Sequence, residues 1–176
     1  MMQAPRIETP HLILRPHTAA DFPALHAIWS EPAVYAHIMG KPPTMEESWS
    51  RLLRYAGHWA LLGFGFWAVE EISTGLFIGD AGLANFHRDV DPPFGASPEM
   101  GWVLAAHSHG KGYGSEALRA IIVWAGDHLE ATSYGCMIAP ENTASLALAA
   151  KLGFRETCRS SYHGAPAVIL QLQVKS

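Results

Sequence analysis

The segment His109-Gly110-Lys111-Gly112-Tyr113-Gly114 decides the fold of this chain. It follows a predicted strand over residues 99–104 and leads into a helix predicted from Ser115 to about Leu129. Alternating glycines allow tight turning and leave backbone N–H groups uncovered. The start of the helix adds unpaired donors and a partial positive charge of roughly +0.5. The segment therefore predicts an anion site built mainly from the backbone.

Two familiar phosphate motifs do not fit this segment. A Walker A loop needs a lysine followed by serine or threonine, whereas Lys111 is followed by Gly112. A dinucleotide fingerprint starts at Gly110 and Gly112, but Ser115 stands where its third glycine belongs. Its strand also lies in mid-chain, outside any N-terminal βαβ unit.

The remaining segments alternate in type around this turn, which indicates an α/β or α+β domain. Thr44 and Glu47 form a capping box at the start of one helix, and Gly153 ends another. The unit from the strand at 99–104 to a strand at 133–138 predicts a right-handed parallel crossover, and the flanking hairpins predict antiparallel pairs. The predicted strands are 11–16, 66–70, 76–86, 99–104, 133–138, 155–159 and 167–174, and the helices are 19–30, 45–62, 115–129 and 142–151.

Composition excludes several classes of protein. The chain has 176 residues, a net charge of −4 and only four lysines, which argues against a broad nucleic-acid surface. Cys136 and Cys158 form neither a disulfide framework nor a zinc motif. The ten histidines are scattered without an HExxH motif, and no nearby carboxylate or cysteine completes a metal set with His107 and His109, so we predict no metal.

The sequence also predicts where the protein works. Its N-terminus has no apolar core typical of a signal peptide. No apolar run approaches the roughly 20 residues of a membrane helix. We therefore expect a soluble cytoplasmic protein with no membrane partner.

Four blocks in the same order give this chain its resemblance to a known family. The segment 109–114 resembles the [RQ]xxGxG/A signature of GNAT acetyltransferases, with flanks Glu99–Trp102 and Ser115–Leu118. The blocks 140–145 and 151–154 resemble the second cofactor-side region of the family. The opening 9–16 is similar to the branch of ribosomal-protein N-terminal alanine and serine acetyltransferases. His109 departs from the Arg or Gln of the signature, which predicts weaker cofactor binding or affinity that rises as His109 protonates.

The resemblance implies a GNAT-like three-layer fold, with a mixed, mostly antiparallel sheet of six to seven strands flanked by helices. It implies one N-acetyltransferase domain over residues 1–176, with acetyl-CoA as cosubstrate and no metal. Lys111 could be a solvated lysine or a partner of the 3′-phosphate. The implied cofactor contacts are Trp102, Val103, Leu104, His109, Gly110, Lys111, Gly112, Tyr113, Gly114, Ser115, Asn142 and Ser145.

The family resemblance also implies direct attack of an amine on the thioester, with the carbonyl polarised by a backbone N–H of strand 99–104. Cys136 is then a core residue, not a nucleophile. Glu99 is the first candidate for the base, with Glu70, Asp80 or bulk water as alternatives. The tyrosine that many members place seven residues after the asparagine is Ala149 here. The resemblance assigns thiolate stabilisation to Ser145, and Asn142 either binds the pantetheine arm or caps the helix.

The acceptor side is expected between the first two helices and the loops 31–45 and 87–98. Candidate residues there are Tyr35, Trp49, Trp59, Phe94, His37, His87 and Arg88. The acceptor could be a peptide N-terminus, an amino acid, an antibiotic or another small amine, and a homodimer is expected from the family. An acyl-CoA sensor without turnover and a nucleotide-binding enzyme remain alternatives.

Overall fold

The structure is a computed structural model that describes residues 2–91 and 97–174. Its elements follow the predicted alternation of strands and helices. The strands are β1 Ile7–Glu8, β2 Leu12–Arg15, β3 Phe66–Glu71, β4 Leu76–Ala84, β5 Glu99–Leu104, β6 Ser133–Ile138, β7 Arg155–Tyr162 and β8 Ala165–Gln173. The helices are α1 Phe22–Trp29, α2 Pro32–Tyr35, α3 Met45–Leu62, α4 Tyr113–His128 and α5 Thr143–Leu152, with 3-10 turns at Ala19–Asp21 and Ala106–Ser108.

All eight strands form one mixed sheet in the order β1-β2-β3-β4-β5-β6-β8-β7. Every pair is antiparallel except β5 with β6, so the predicted parallel unit is confirmed. The mixed, mostly antiparallel class is therefore correct, but the predicted strand count of six to seven was one too low. The additional strand β1 has two residues, which is too short to show a period in the sequence.

Several boundaries also differ from the predictions. Helix α4 begins at Tyr113, two residues before the predicted Ser115, because Gly112 rather than a polar side chain forms its N-cap. The helix predicted over 19–30 is divided into a 3-10 turn and α1, and Pro32 starts the short helix α2 that was not predicted. The capping box of Thr44 and Glu47 is confirmed, with both hydrogen bonds present.

Strands β5 and β6 are paired at one residue of each strand and then separate. Within the described residues their register joins only Glu99 with Gly135, and the Gly135 N–H donates to the Pro98 carbonyl at 3.0 Å. After this pair β5 continues for five residues and β6 for three, and these residues do not pair with each other. The sheet therefore has a gap between β5 and β6 that opens toward the glycine segment and the start of α4.

Two groups of buried side chains fill the space around the sheet. One packs α4 and α5 against the strands and includes Leu118, Ile121 and Tyr134. The other packs α1 and α3 against β3, β4 and β5, and includes Trp29, Tyr55 and the aromatic ring of Phe66. Helices thus cover both faces, and β5 contributes side chains to both groups. Among the described residues, no helix is long and apolar enough to cross a membrane.

Candidate active site

The glycine loop, residues 109–114, places backbone donors at the start of α4. Gly110 and Gly112 have φ angles of +75° and +82°, in the left-handed region that favours glycine. Gly112 is the N-cap of α4, and no side chain caps it. The first N–H groups of a helix have no partner within the helix. This end of α4 can therefore donate backbone hydrogen bonds to an anion.

The third glycine of the loop has a packing role. A Cβ atom at Gly114 would lie 2.9 Å from Cδ2 of Leu148 on α5. The missing side chain lets the first turn of α4 approach α5 closely. Sequence spacing identified all three glycines but could not separate these two roles.

A cavity of about 560 Å³ runs from the glycine loop between β5 and α5 to helix α2. Glu31, which begins α2, accepts a hydrogen bond from the Ala106 N–H at 2.7 Å and so holds α2 beside the end of β5. Every predicted cofactor contact except Lys111 lines this cavity: Trp102, Val103, Leu104, His109, Gly110, Gly112, Tyr113, Gly114, Ser115, Asn142 and Ser145.

Several lining residues were not predicted from the sequence. On α5 they recur with helical spacing on the face that includes Ser145, and this periodicity could have revealed them. On α2 they belong to a helix that was not predicted. The missed residues are Ala33, Val34, Ile38, Ser108, Ala144, Ala147, Leu148 and Lys151.

Two side chains of the glycine loop bind other parts of the protein. A ring nitrogen of His109, Nε2, lies 2.9 Å from the carbonyl oxygen of Leu104. Because a carbonyl only accepts, this nitrogen carries the proton and donates it. The Lys111 ammonium lies 3.3 Å from Oε1 of Glu71 at the end of β3. Both contacts attach the loop to the sheet.

The Glu71 carboxylate at the end of β3 accepts from three donors, and two of them, Lys111 and Tyr113, belong to the glycine loop. The Tyr113 hydroxyl donates to its Oε1 at 2.7 Å, and the Thr74 hydroxyl donates to its Oε2 at 2.8 Å. These hydrogen bonds, assisted by Lys111, lower the pKa of Glu71 to about 2. Lys111 thus has a carboxylate partner in the structure instead of standing free in solvent.

Asn142 and Ser145 lie together at the start of α5. Oδ1 of Asn142 accepts a hydrogen bond from the Ser145 N–H at 3.1 Å, so Asn142 is the N-cap. Ser145 is half-buried and lines the cavity. Ala149 is fully buried one turn further on, where no hydroxyl is available.

The three candidate bases all have partners. The Glu99 carboxylate accepts two hydrogen bonds from Arg88, at 2.6 and 2.8 Å, and is buried. Glu70 accepts a hydrogen bond from Arg15 at 2.7 Å. Asp80 is buried with His17 at 2.5 Å and with the Trp29 indole N–H at 3.0 Å. Glu99 lies at the paired end of β5, outside the cavity lining.

Cys136 is a buried core residue. It is 1% exposed within the helix-packed group beneath α4. Burial and the nearby charge of Glu99 raise the pKa of its thiol well above the ordinary value. A thiol held in the neutral form is a poor nucleophile. No group of three metal-ligating side chains occurs among the described residues.

The predicted acceptor residues do not form one surface. His37 lines the cavity, whereas Arg88 binds Glu99 outside the cavity lining. Trp59 is a core residue between Trp67 and Trp124. Trp49 packs on Phe22 and is 40% exposed. Tyr35 is half-buried and His87 is exposed. Phe94 lies outside the described residues.

Comparisons with known proteins decide the family. Residues 11–155 match the family model described as "Acetyltransferase (GNAT) domain". The chain belongs to the GNAT acetyltransferase family. Enzymes of this family use acetyl-CoA, and the fold around the cavity supports an acetyl-CoA-dependent N-acetyltransferase.

Individual relatives share the fold at low sequence identity. The acetyltransferase from Agrobacterium tumefaciens str. C58 is 25% identical, with a TM-score of 0.84 over 99% of this chain and 97% of that one. RimL, a ribosomal L7/L12 alpha-N-protein acetyltransferase solved with coenzyme A, is 15% identical, with a TM-score of 0.77 over 97% of this chain and 98% of that one, and shows the fold alone.

Two curated relatives come from Bacillus subtilis (strain 168). The uncharacterized N-acetyltransferase YoaA is 26% identical over 86% of this chain and 84% of its own length. The uncharacterized protein YkkB is 29% identical over 52% of this chain and 51% of its own length, so that alignment spans about half of each protein.

The cavity of this acetyltransferase fits the family's cosubstrate in one further respect. Ser108 is 2% exposed and lines the cavity, and its hydroxyl oxygen has no hydrogen-bond partner among the described residues. Buried polar groups normally have partners. A ligand bearing polar groups, such as the pantetheine arm or pyrophosphate of acetyl-CoA, would supply one. The lining also includes Lys151, a positive charge suited to phosphate.

Proposed function

We propose that this protein transfers the acetyl group of acetyl-CoA to a primary amine by direct attack, within a single domain spanning residues 1–176. The observation that carries the proposal is the cavity that joins the start of α4, which no side chain caps, to the segment 102–104 of β5, with which β6 does not pair. An anion-binding end and an unpaired strand edge suit a ligand with a pyrophosphate and an extended amide arm. Acetyl-CoA, which supplies the activated acetyl group when bound, has both.

Each part of the cavity would then have a separate task. Backbone N–H groups over 110–114 would hold the pyrophosphate, with Lys151 nearby. The edge of β5 over 102–104 would pair with the pantetheine amides because β6 does not pair with it there. A backbone N–H of the same segment would polarise the thioester carbonyl. This last role resembles an oxyanion site, where preorganised donors stabilise developing charge.

We assign stabilisation or protonation of the departing thiolate to Ser145. Its hydroxyl lies on the cavity face of α5, and the buried methyl of Ala149 leaves no competing hydroxyl one turn on. Asn142 fixes the helix start that presents Ser145. Glu99 remains our candidate base, acting through water, because Arg88 occupies both of its oxygens and it lies outside the cavity lining. Water alone is the simpler alternative.

The acceptor class we favour is a peptide N-terminus or a small amine. Solved structures with this fold include RimL and a ribosomal-protein-S5-alanine acetyltransferase from Vibrio fischeri, which is 19% identical with a TM-score of 0.73. Likeness at this level supports the fold, so these names only suggest which acceptors to test first. The homodimer expected from the family stays a prediction.

A screen for CoA release tests this proposal. Acetyl-CoA is mixed with the protein and with N-terminal peptides, amino acids, aminoglycosides or small amines, and free thiol is measured. We expect release with at least one amine and acetylated product by mass spectrometry. Tight acetyl-CoA binding without release from any amine would favour the sensor instead. Binding of ATP without binding of CoA would favour a nucleotide-binding enzyme.

A further inference from the structure

Three arginines gather on the α1–α3 side of β5, and we call them the arginine cluster: Arg51, Arg54 and Arg88. The guanidinium carbons of Arg54 and Arg88 lie 4.9 and 4.7 Å from the centroid of the Phe86 ring. The Arg51 guanidinium lies 3.6 Å from the Trp29 ring. Arginine is charged at every ordinary pH, so the cluster concentrates three positive charges on aromatic faces.

In the part of the chain that the structure describes, Arg88 is the one member of the cluster that forms an ion pair. Its two hydrogen bonds to Glu99 outweigh the effect of burial and leave the pKa of Arg88 above its ordinary value. Within the described residues, no carboxylate forms an ion pair with Arg51 or Arg54. Among the described residues, Arg51 and Arg54 thus have no carboxylate partner, and Arg54 is exposed to solvent.

Arg51 is the more unusual of the two. Its Nη1 is buried without any hydrogen-bond partner, and its Nη2 has only the Met39 sulfur, a weak acceptor, at 3.4 Å. Burial and the charge of Arg54 lower the pKa of Arg51, although Tyr55, Asp80 and Glu47 act in the opposite direction. Charged side chains are rarely buried without a partner.

The carboxylates nearest to Arg51 are already occupied. Asp80 binds His17 and the Trp29 indole N–H. Glu47 accepts the Thr44 N–H within the capping box of α3. Asp80 cannot turn to Arg51 without breaking its contacts, and Glu47 forms no ion pair with Arg51 within the described residues. An anion from outside the chain is therefore the partner that Arg51 lacks.

The cluster lies one layer of side chains from the cavity. Trp29 and Met39, which contact Arg51, pack in the same group as Val34 and Val103, and these two line the cavity. His37 and Ile38 also line it, immediately before Met39 in the chain. No carboxylate occurs among the described lining residues. An anionic acceptor would therefore meet no carboxylate in the cavity wall on its way to the cluster.

We propose that Arg51 and Arg54 form an anion subsite for the acceptor, so that the preferred amine carries a carboxylate. The inference rests on the proposed acetyl transfer and specifies its substrate class. The carboxylate would replace the Met39 sulfur as the partner of Arg51 and form charge-assisted hydrogen bonds. It could belong to an acidic side chain near a peptide N-terminus or be the α-carboxylate of an amino acid.

Acceptor pairs in which an amide replaces this carboxylate test the proposal, and each variant is compared with wild type within a pair because the α-amide also lowers the pKa of the amine of alanine. Ala-Asp-Gly-amide is compared with Ala-Asn-Gly-amide for the peptide source, and alanine with alaninamide for the amino-acid source. The proteins are wild type, Arg51→Met, Arg51→Lys and Arg54→Met. Arg119→Met on the exposed face of α4 is the matched control. Both kcat/KM and the acceptor Kd in the presence of CoA are measured.

We expect wild type and Arg119→Met to prefer the carboxylate member of one pair by about tenfold or more, the size of a charged hydrogen bond. Arg51→Met should remove the preference by weakening only the carboxylate member, and Arg51→Lys should keep part of it. The pair that shows the preference identifies the source. If Arg51→Met does not fold, two other measurements take its place. Arg54→Met should reduce the preference, and high salt should reduce the preference of wild type.

The two proposals fail in different ways. Equal kcat/KM and equal Kd within both pairs, together with CoA release, would overturn the anion subsite and leave acetyl transfer in place. Preferential binding of a carboxylate member without any CoA release would support the anion subsite and overturn acetyl transfer. Neither release nor preferential binding would overturn both.

Discussion

The two sides of β5 differ in how they can bind a ligand. On the side of α4 and α5, glycines and an uncapped helix start offer backbone N–H groups. On the side of α1 and α3, the candidate groups are side chains, namely arginines placed on aromatic rings. We call these the cofactor half and the acceptor half, after their proposed ligands.

The difference explains which half a sequence can identify. Backbone donors depend on a short local spacing, since Gly110, Gly112 and the start of α4 lie within four residues. The acceptor half combines Trp29, Arg51 and Phe86, which come from three separate segments. Members of a family can share the backbone donors of the glycine loop while the side chains of the acceptor half vary with the acceptor. The glycine loop therefore indicates acetyl-CoA and says nothing about the amine.

The largest effect expected in the cofactor half comes from Ser145→Ala. We expect kcat to fall by about 100-fold, the lower range for a general acid, with little change in KM for either substrate. The loss should be equal for carboxylate-bearing and neutral acceptors, because the thiolate leaves in every reaction. Steady-state kinetics with both acceptor types measures it, and Ser50→Ala, an exposed helical serine, is the control. Unchanged kcat would remove Ser145 from the mechanism.

An intermediate effect is expected from Gly112→Ala. Alanine at a φ of +82° should cost roughly 1–2 kcal/mol of stability, and re-aiming the donors should weaken acetyl-CoA binding by about tenfold. The ratio of kcat/KM between paired acceptors should not change. Gly126→Ala is the matched control, because Gly126 lies in α4 with open space around it. This substitution should stabilise the protein by about 0.5–1 kcal/mol, since alanine favours the helix more than glycine does.

Chemical denaturation and calorimetry with acetyl-CoA distinguish these two glycine variants. If Gly112→Ala bound acetyl-CoA as tightly as Gly126→Ala, the left-handed turn would not be needed to aim the donors. If it altered acceptor preference instead, the separation between the cofactor and acceptor halves would be wrong.

The smallest effect is expected from Glu71→Gln. In the folded protein the pKa of Glu71 is about 2, below its ordinary 4.5, so the ionised form favours folding. This stabilisation is fully present when the pH is above the ordinary pKa of 4.5, and it is lost as the pH falls from 4.5 toward about 2. The Tm difference between wild type and Glu71→Gln should therefore be constant near neutral pH and shrink in acid.

Thermal unfolding from neutral pH down to about 3 checks this expectation, with Glu8→Gln as an exposed carboxylate control. Acetyl-CoA affinity at neutral pH should hardly change in Glu71→Gln, since backbone groups rather than Lys111 are proposed to hold the pyrophosphate. A large loss of affinity would mean that the attachment of Lys111 and Tyr113 to β3 is needed for cofactor binding.

Most of the fold followed from local signals. Hydrophobic periodicity, the capping box at Thr44 and the glycine ends predicted seven strands and all the long helices. The exceptions were short elements. Strand β1 has two residues and α2 has four, and both are too short to show a period. They form because neighbours hold them: β2 pairs with β1, and Glu31 at the start of α2 binds the Ala106 N–H.

The sequence by itself determined the glycine loop, the helix that follows it and the succession of strands and helices along the chain, because each depends on residues close together in the chain. Only the tertiary structure decided that Lys111 binds Glu71, that Arg88 binds Glu99, and that Nη1 of Arg51 is buried without a hydrogen-bond partner among the described residues. These pairings join residues on different elements, and no local pattern records them. Backbone conformation is set by neighbours in sequence, whereas the partner of a charge is set by neighbours in space.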